Sequence, residues 1–156
     1  MNCTPKPGYI FREYTAKPDM FFEILPADWQ ESIVPYWPAY AGSTRIFVLE
    51  YAGDIVCGGL VFSQVSPDTL YYRSEAEKWF DNGYLYLAYI WVPEKFRGRK
   101  FGSKWLEFLH AQFKTQKFWL AIEDYNLVNF YSPSGYRLVK EISGEWGSEW
   151  IMARQI

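Results

Sequence analysis

The chain has few cysteines and histidines, and their scarcity excludes several kinds of protein. Its two cysteines, Cys3 and Cys57, are too few and too far apart for a disulfide framework. A single histidine, His110, makes a zinc centre hard to build, so we expect no metal. Sixteen basic and eighteen acidic side chains give a net charge of −2. Proteins that coat nucleic acid or anionic membranes carry a basic excess, so we expect neither partner.

Long hydrophobic runs are also missing. No apolar run approaches the roughly 20 residues that a membrane-spanning helix needs, and residues 1–9 lack the apolar core of a signal peptide. We therefore expect a cytoplasmic protein. The 156 residues contain no repeat and no linker-like stretch, which predicts one domain over residues 1–156. Aromatic side chains are abundant at 21%, and we expect most in the core and some in a pocket.

Hydrophobic periodicity and turn residues predict alternating strands and helices. Strand patterns cover residues 8–15, 45–51, 55–64, 84–92, 118–122, 136–142 and 150–154. Helical patterns cover residues 18–37 with a break at Pro26, then 74–80, 102–115 and 124–131. Pro35 and Pro38 predict a loop rich in aromatic rings at residues 36–40. This order of elements predicts an α/β fold, a mixed sheet with helices on both faces.

The most informative segment joins the strand at 84–92 to the helix that follows. Nearly every residue of this strand is apolar or aromatic, which is typical of a central strand buried on both faces. The segment after it holds five basic residues within ten positions, over 95–104. A helix start offers free N–H groups and a positive dipole end to an anion, and Gly98 and Gly102 allow close approach. The segment predicts either a phosphate site or a solvated basic turn.

Two separate blocks carry the most specific motifs of the chain. The first is Arg97-Gly98-Arg99-Lys100-Phe101-Gly102, which opens the predicted helix after the approach Ile90–Gly98. The second is Phe130-Tyr131-Ser132-Pro133-Ser134-Gly135-Tyr136, which closes a short helix. Together they resemble the GNAT superfamily of acetyl-CoA-dependent N-acetyltransferases, over about half of the chain.

One position of the first block departs from the family pattern. Lys100 stands where the family usually has its first loop glycine. A positive φ at Lys100 would strain the loop, whereas a negative φ would let its ammonium group reach a phosphate.

The resemblance implies a mostly antiparallel sheet whose fourth and fifth strands splay apart, with acetyl-CoA as co-substrate between them. It implies that main-chain groups of Ile90, Trp91 and Val92 hydrogen-bond the pantetheine arm. It further implies that the loop and helix start hold the pyrophosphate, through Arg97, Gly98, Arg99, Lys100, Phe101, Gly102 and Ser103. Asn126 and Tyr131 complete the implied coenzyme-binding set, although the position of a common family asparagine is Asp124 here.

The resemblance also implies catalytic residues. Tyr131 matches the family's tyrosine general acid, which protonates the leaving thiolate; alternatively, its ring is core packing. The general base stays open, because Tyr86 occupies the place where some relatives have a glutamate. Glu123 and Asp124 are the nearest carboxylates in sequence, and their alternative roles are a solvated strand end and a helix cap. Tyr86 or Tyr89 could instead order a water molecule that relays the proton.

By the same analogy, the acceptor site lies between the first helical region and the last hairpin. Rings and carboxylates there suit an amine through cation–π attraction and charge pairing. The residues concerned are Tyr36, Trp37 and Tyr40 on one side and Glu145, Trp146, Glu149 and Trp150 on the other. Of the residues discussed, we predict that Tyr36, Trp37, Tyr86 and Trp146 bind the substrate.

These inferences predict an N-acetyltransferase that acts on the primary amine of a small molecule or a peptide. Dimers are common in the family that the chain resembles, so a homodimer is a possible assembly, although the sequence does not give the oligomeric state. Two alternatives stay open. One is a non-catalytic module that keeps the fold and binds the coenzyme or another ligand, and the other is an aromatic-rich carbohydrate- or peptide-binding domain without a coenzyme site.

Overall fold

Seven strands form one sheet in the computed structural model, which describes residues 8–156. They are β1 (Tyr9–Glu13), β2 (Thr44–Tyr51), β3 (Asp54–Phe62), β4 (Tyr84–Trp91), β5 (Lys117–Ile122), β6 (Arg137–Gly144) and β7 (Gly147–Arg154). Their order across the sheet is β1-β2-β3-β4-β5-β7-β6. All neighbouring strands are antiparallel except β4 and β5, which run parallel. The mixed α/β sheet predicted from the sequence is confirmed.

Helices pack on both faces of this sheet. They are α1 (Asp19–Phe22), α2 (Ala27–Ile33), α3 (Trp37–Tyr40), α4 (Arg73–Asp81), α5 (Phe101–Gln112) and α6 (Val128–Tyr131). Short 3-10 turns include Val34–Tyr36, Pro67–Tyr72 and Tyr125–Leu127. No helix within residues 8–156 is long and apolar enough to cross a membrane.

The segment 36–40, predicted to be a loop, is helical instead. Pro35 lies in the first turn of a 3-10 helix, and Pro38 lies in the first turn of α3. A proline there breaks no helical hydrogen bond, because the first N–H groups of a helix have no intrahelical acceptor. The predicted break at Pro26 is confirmed, since it separates α1 from α2.

The hydrophobic core has two halves, one on each face of the sheet. On what we call the α2 face, Phe21, Tyr86 and Trp119 are buried together with residues of α2 and α4. On the α5 face, Trp105 and Tyr131 are buried with residues of α5 and α6. Side chains alternate along a strand, so neighbouring residues of β4 and β5 belong to different halves. This division decides which functional groups lie on the same side of the sheet.

Candidate active site

Strands β4 and β5 separate after a short stretch of pairing. They are in register from Tyr84 beside Lys117 to Tyr86 beside Trp119, and no pairing follows although both strands continue. The backbone of β4 beyond Tyr86 therefore faces an opening on its β5 side. Unpaired N–H and C=O groups of a strand can hydrogen-bond an extended ligand as they would an added strand. The expected splay of the fourth and fifth strands is confirmed.

Strand β4 contains a bulge in its unpaired half. Ala88 and Trp91 of β4 pair with Leu60 and Gly58 of β3, so β4 has one residue more over this stretch. Tyr89 has a φ of +56°, a left-handed conformation that costs a non-glycine residue about 1–3 kcal/mol. Because of the extra residue, the consecutive residues Ala88 and Tyr89 both lie on the α2 face. Bulges change the direction of backbone groups and occur often beside active sites.

The loop after β4 leads into the N-terminus of α5, as predicted. Helix α5 begins at Phe101 with Lys100 as its N-cap. Gly98 has a φ of +80° and Lys100 a φ of +63°, so the chain passes twice through the left-handed region before the helix. Lys104 N donates to Lys100 O at 3.0 Å, which leaves the N–H groups of residues 101–103 without intrahelical acceptors. These donors, together with the helix dipole, favour an anion.

The cationic side chains of this loop are exposed. The Arg97 guanidinium lies 4.6 Å from the ring centroid of Trp91, and its Nε donates to Val92 O at 3.2 Å. Arg99 lies 4.9 Å from the ring centroid of Phe101. In the part of the chain that the structure describes, no carboxylate pairs with Lys95, Arg97, Arg99 or Lys100. The charges of Lys95, Arg97 and Arg99 are therefore available to a phosphate, whereas Lys100 adopts the positive φ that the sequence analysis associates with strain.

Replacing Lys100 tests the cost of its backbone conformation. Lys100→Gly and Lys100→Ala both remove the ammonium group, but only glycine adopts a φ of +63° without strain. We expect the free energy of unfolding of the glycine variant to exceed that of the alanine variant by about 1 kcal/mol, measured by urea denaturation. Equal stability of the two variants would show that Lys100 is not strained.

Gly102 brings the start of α5 against α6. A Cβ atom at Gly102 would lie 2.9 Å from Cζ of Phe130 and 3.7 Å from Cγ2 of Val92. A larger residue cannot keep this approach unless the ring moves. Because Phe130 directly precedes Tyr131, the contact also fixes the helix that carries Tyr131 relative to the anion site.

Tyr131 ends α6 and lies on the α5 face, where 8% of its surface is exposed. Its ring centroid is 4.8 Å from that of Phe130 and 5.7 Å from that of Tyr136. Burial raises the pKa of Tyr131 well above its usual value, and the nearby Cys57 adds to the shift. No hydrogen bond contributes to this shift. The group is therefore protonated at neutral pH and free to donate its proton.

The two carboxylates at the end of β5 are both exposed. Asp124 caps the 3-10 turn before α6, because its Oδ1 accepts a hydrogen bond from Asn126 N at 3.0 Å. Glu123 follows β5 directly, and its charge contributes to a raised pKa of Glu149 on β7. The predicted helix cap at Asp124 is confirmed. Catalytic roles for Glu123 and Asp124, and a coenzyme contact for Asn126, stay predictions.

A carboxylate that the sequence analysis missed lies on the α2 face beside the opening. Asp68, in the Pro67–Tyr72 turn, accepts hydrogen bonds from Tyr86 Oη at 2.6 Å and from Ser66 Oγ at 2.5 Å. Burial of the carboxylate raises the pKa of Asp68, and these two hydrogen bonds oppose the shift. The residue as a whole is nonetheless exposed. The sequence Ser66-Pro67-Asp68-Thr69 signals only a helix start.

Glu149 is a second carboxylate on the same face. Tyr72 Oη donates to its Oε1 at 3.3 Å. Burial raises the pKa of Glu149 to about 7, and the negative charges of Glu123 and Asp68 add to the shift. At neutral pH, Glu149 is therefore partly protonated.

The aromatic residues predicted to bind the acceptor occupy different environments. Trp37 packs edge-on against Phe22 with a centroid distance of 5.1 Å. Tyr36 is 57% exposed, and Trp146, in the turn between β6 and β7, is 87% exposed. Tyr86 is buried and lies where β4 and β5 separate. Substrate contacts by these four residues stay predictions.

Cys57 and His110 are packed among core residues of the α5 face. Cys57 is fully buried in β3, and burial raises the pKa of its thiol. His110 Nε2 lies 2.9 Å from Tyr136 Oη, and burial lowers the pKa of His110 to about 4. Among residues 8–156, no three His, Cys, Asp or Glu side chains are grouped so as to hold a metal ion. Cys3 lies outside the described residues.

A sheet opened at one strand pair, with an anion site at its mouth, defines a protein that holds an extended ligand bearing phosphate. Residues 14–136 match the acetyltransferase (GNAT) family, and the chain belongs to this family. The co-substrate of the family is acetyl-CoA. The residues present fit it, because β4 has unpaired backbone for its arm and the start of α5 has free N–H groups for its diphosphate.

Several solved structures share the fold. The aminoglycoside acetyltransferase AAC(6')-Ib, in complex with paromomycin and acetyl-CoA, is 17% identical with a TM-score of 0.67, covering 95% of this chain and 93% of that one. An IAA acetyltransferase from Bacillus cereus is 12% identical with a TM-score of 0.62, covering 96% and 100%. An acetyltransferase from Thermus thermophilus is 13% identical with a TM-score of 0.62, covering 95% and 97%. No curated protein matches by sequence.

Proposed function

We propose that this protein transfers an acetyl group from acetyl-CoA to the primary amine of a small molecule or a peptide. The observation that carries the proposal is the separation of β4 from β5 beside the start of α5. When bound, acetyl-CoA supplies an activated thioester carbonyl. The chain itself holds the two reactants together and moves the protons.

The main chain does most of the coenzyme binding in this proposal. Ile90, Trp91 and Val92 offer backbone groups beyond the last pairing with β5, and the bulge precedes them. The N–H groups of residues 98–103 hold the diphosphate, with the exposed loop cations around them. Donors fixed by a strand and a helix need no reorganisation when the ligand binds.

Tyr131 acts as the general acid in this proposal. Its raised pKa keeps the hydroxyl protonated at neutral pH, and no hydrogen bond contributes to the shift. Protonation of the leaving sulfur by a positioned acid stabilises the transition state and leaves the ground state unchanged. Gly102 and Phe130 support this role, because they tie the helix of Tyr131 to the anion site.

The acceptor reaches the opening from the α2 face, where the carboxylates of Asp68 and Glu149 lie. The exposed rings of Tyr36 and Trp146 suit an ammonium group. AAC(6')-Ib, which has the same fold, is solved with aminoglycosides, which are small amines. This likeness supports a small-molecule acceptor over a peptide.

The proposal is tested by incubating the protein with acetyl-CoA and a panel of amines while free thiol is measured. The panel contains alkylamines, polyamines, aminoglycosides and peptides with a free amino terminus, and coenzyme A binding is measured separately by calorimetry. We expect thiol release above the enzyme-free rate with at least one class. Coenzyme binding without turnover would favour the non-catalytic module, which the left-handed Lys100 also favours. Absence of coenzyme binding would favour the aromatic-rich carbohydrate- or peptide-binding domain without a coenzyme site.

A further inference from the structure

We infer that Asp68 is the catalytic residue that binds the ammonium group of the acceptor and takes its proton. This inference rests on the proposed function, and it assigns the general base that the sequence motifs leave open. Asp68 is far from both motif blocks in sequence and reaches the site only through the fold.

Asp68 lies next to the point where β4 and β5 separate. Tyr86 is the last residue of β4 in register with β5, so its side chain marks the apex of the opening on the α2 face. Tyr86 Oη donates to Asp68 Oδ2 at 2.6 Å. One short hydrogen bond therefore joins the apex to this carboxylate, and the hydrogen bond is only partly buried.

Hydrogen bonds hold the start of the Pro67–Tyr72 turn and the carboxylate of Asp68. Ser66 and Thr69 are both completely buried, and they form a capping box in which Ser66 N donates to Thr69 Oγ1 at 3.0 Å. Ser66 Oγ also donates to Asp68 Oδ1 at 2.5 Å. Asp68 is thus held by hydrogen bonds to both carboxylate oxygens, as catalysis by a positioned base requires.

The ionisable groups that surround Asp68 are tyrosines and a glutamate. The groups that face it are Tyr86 and Tyr89 on β4, Tyr72 on its own turn and Glu149 on β7. Burial raises the pKa of the three tyrosines, so they are neutral donors, and Glu149 is acidic. Within residues 8–156, no cation pairs with Asp68 or Glu149. An ammonium group would supply the missing positive charge.

The other carboxylates fit the role less well. Asp124 is engaged as a cap by Asn126 N, and Glu123 is an exposed strand end. Glu149 is bonded to Tyr72 and lies on β7, so β5 separates it from β4 in the sheet. Asp68 alone among these four carboxylates is bonded to a residue at the apex of the opening.

Each proton that the acceptor nitrogen loses has a destination in this reaction. An N–H bond of the ammonium breaks and an O–H bond forms on Asp68, which leaves the nitrogen with its lone pair. The C–N bond then forms and the C–S bond breaks, and Tyr131 gives its proton to the sulfur. The second proton lost by the nitrogen restores the Tyr131 hydroxyl through solvent, and Asp68 releases its proton to solvent.

The test compares the wild type with Asp68→Asn on an alkylamine that it acetylates. We expect kcat/KM to fall by about 100- to 10,000-fold at neutral pH, as for loss of a general base. Coenzyme affinity and melting temperature should change little, since the asparagine oxygen can accept one of the two hydrogen bonds and the other hydroxyl can accept one from the amide NH2. Asp54→Asn is the matched control, because Asp54 is an exposed carboxylate at the start of β3, and its variant should keep full activity.

Two further readouts separate a base from a structural residue. With an alkoxyamine, whose nitrogen is unprotonated at neutral pH, we expect Asp68→Asn to approach the wild-type rate. With the alkylamine, the deficit should shrink as the pH approaches the pKa of the amine. A deficit of the same size for both acceptors at every pH would overturn the inference.

Tyr86→Phe adds a test on the neighbouring residue. Loss of its hydrogen bond removes an interaction that favours ionised Asp68, so the acid limb of the kcat/KM profile should move to higher pH. An unmoved limb would contradict the inference. Wild-type protein that acetylates no amine would overturn the proposed function itself, whereas an active wild type with an equally active Asp68→Asn would overturn the inference alone.

Discussion

Gly102→Val is expected to weaken the binding of coenzyme A by about 5- to 150-fold. The new Cβ atom would lie 2.9 Å from Cζ of Phe130, and the two methyl groups extend beyond it. Overpacking of this kind costs about 1–3 kcal/mol. If the start of α5 moves away from the ligand to relieve the collision, this cost is lost from the binding free energy, and about 1.4 kcal/mol lowers the affinity tenfold. Titration calorimetry with coenzyme A measures the loss.

The control for this variant is Gly42→Val. A Cβ atom at Gly42 has no neighbour within 4 Å, so the same substitution there should leave both stability and affinity unchanged. Combining Gly102→Val with Phe130→Ala removes the ring that causes the collision. Stability should then recover, while affinity stays low if the valine also obstructs the N–H groups of α5. Wild-type affinity in Gly102→Val alone would place the coenzyme elsewhere.

Features set by neighbouring residues could be predicted from the sequence. The turn into α5 depends on Gly98 and Gly102 and on the strand before them, so its motif is readable locally. The same holds for the helix break at Pro26 and for the cap at Asp124. Separation of β4 from β5 followed from the family resemblance and not from any local pattern.

Features set by contacts between distant segments could not be predicted. Ser66-Pro67-Asp68-Thr69 has the pattern of a helix start, and nothing in it shows that Asp68 meets Tyr86. The proximity arises because the turn lies on the α2 face, where alternation along β4 also places Tyr86.

The bulge in β4 is a second feature of this kind. Tyrosine disfavours the positive φ found at Tyr89, so its sequence argues against the conformation it adopts. Opposite it, a Cβ atom at Gly59 would lie 2.8 Å from the ring of Trp105 and 3.1 Å from Cγ1 of Ile90. Tight packing around β3 thus accompanies the strained residue, and such packing depends on the assembled sheet.

The two proposed proton-transfer residues lie on opposite faces of the sheet. Asp68 is on the α2 face and Tyr131 is on the α5 face, and the gap between β4 and β5 connects the two faces. A carboxylate beside a phenol accepts a hydrogen bond from its hydroxyl, as Asp68 does from Tyr86. Separation by the sheet leaves each residue in the protonation state that its proposed step needs.

Tyr131→Phe is expected to lower kcat by about 100-fold or more while coenzyme affinity stays near the wild-type value. No hydrogen bond contributes to the raised pKa of the hydroxyl, so its loss should not destabilise the fold. A fall in kcat without a change in binding identifies an interaction made only in the transition state. Steady-state thiol release and calorimetry with coenzyme A provide the two measurements.

Tyr136→Phe is the matched control for this experiment. Tyr136 is buried in the same cluster as Tyr131, and their ring centroids are 5.7 Å apart. Unlike Tyr131, its hydroxyl is hydrogen-bonded to His110. Its variant should lose about 1 kcal/mol of stability and keep its turnover. If Tyr131→Phe also kept its turnover, the thiolate would leave without help from this residue, and the raised pKa of Tyr131 would reflect burial in the core and nothing more.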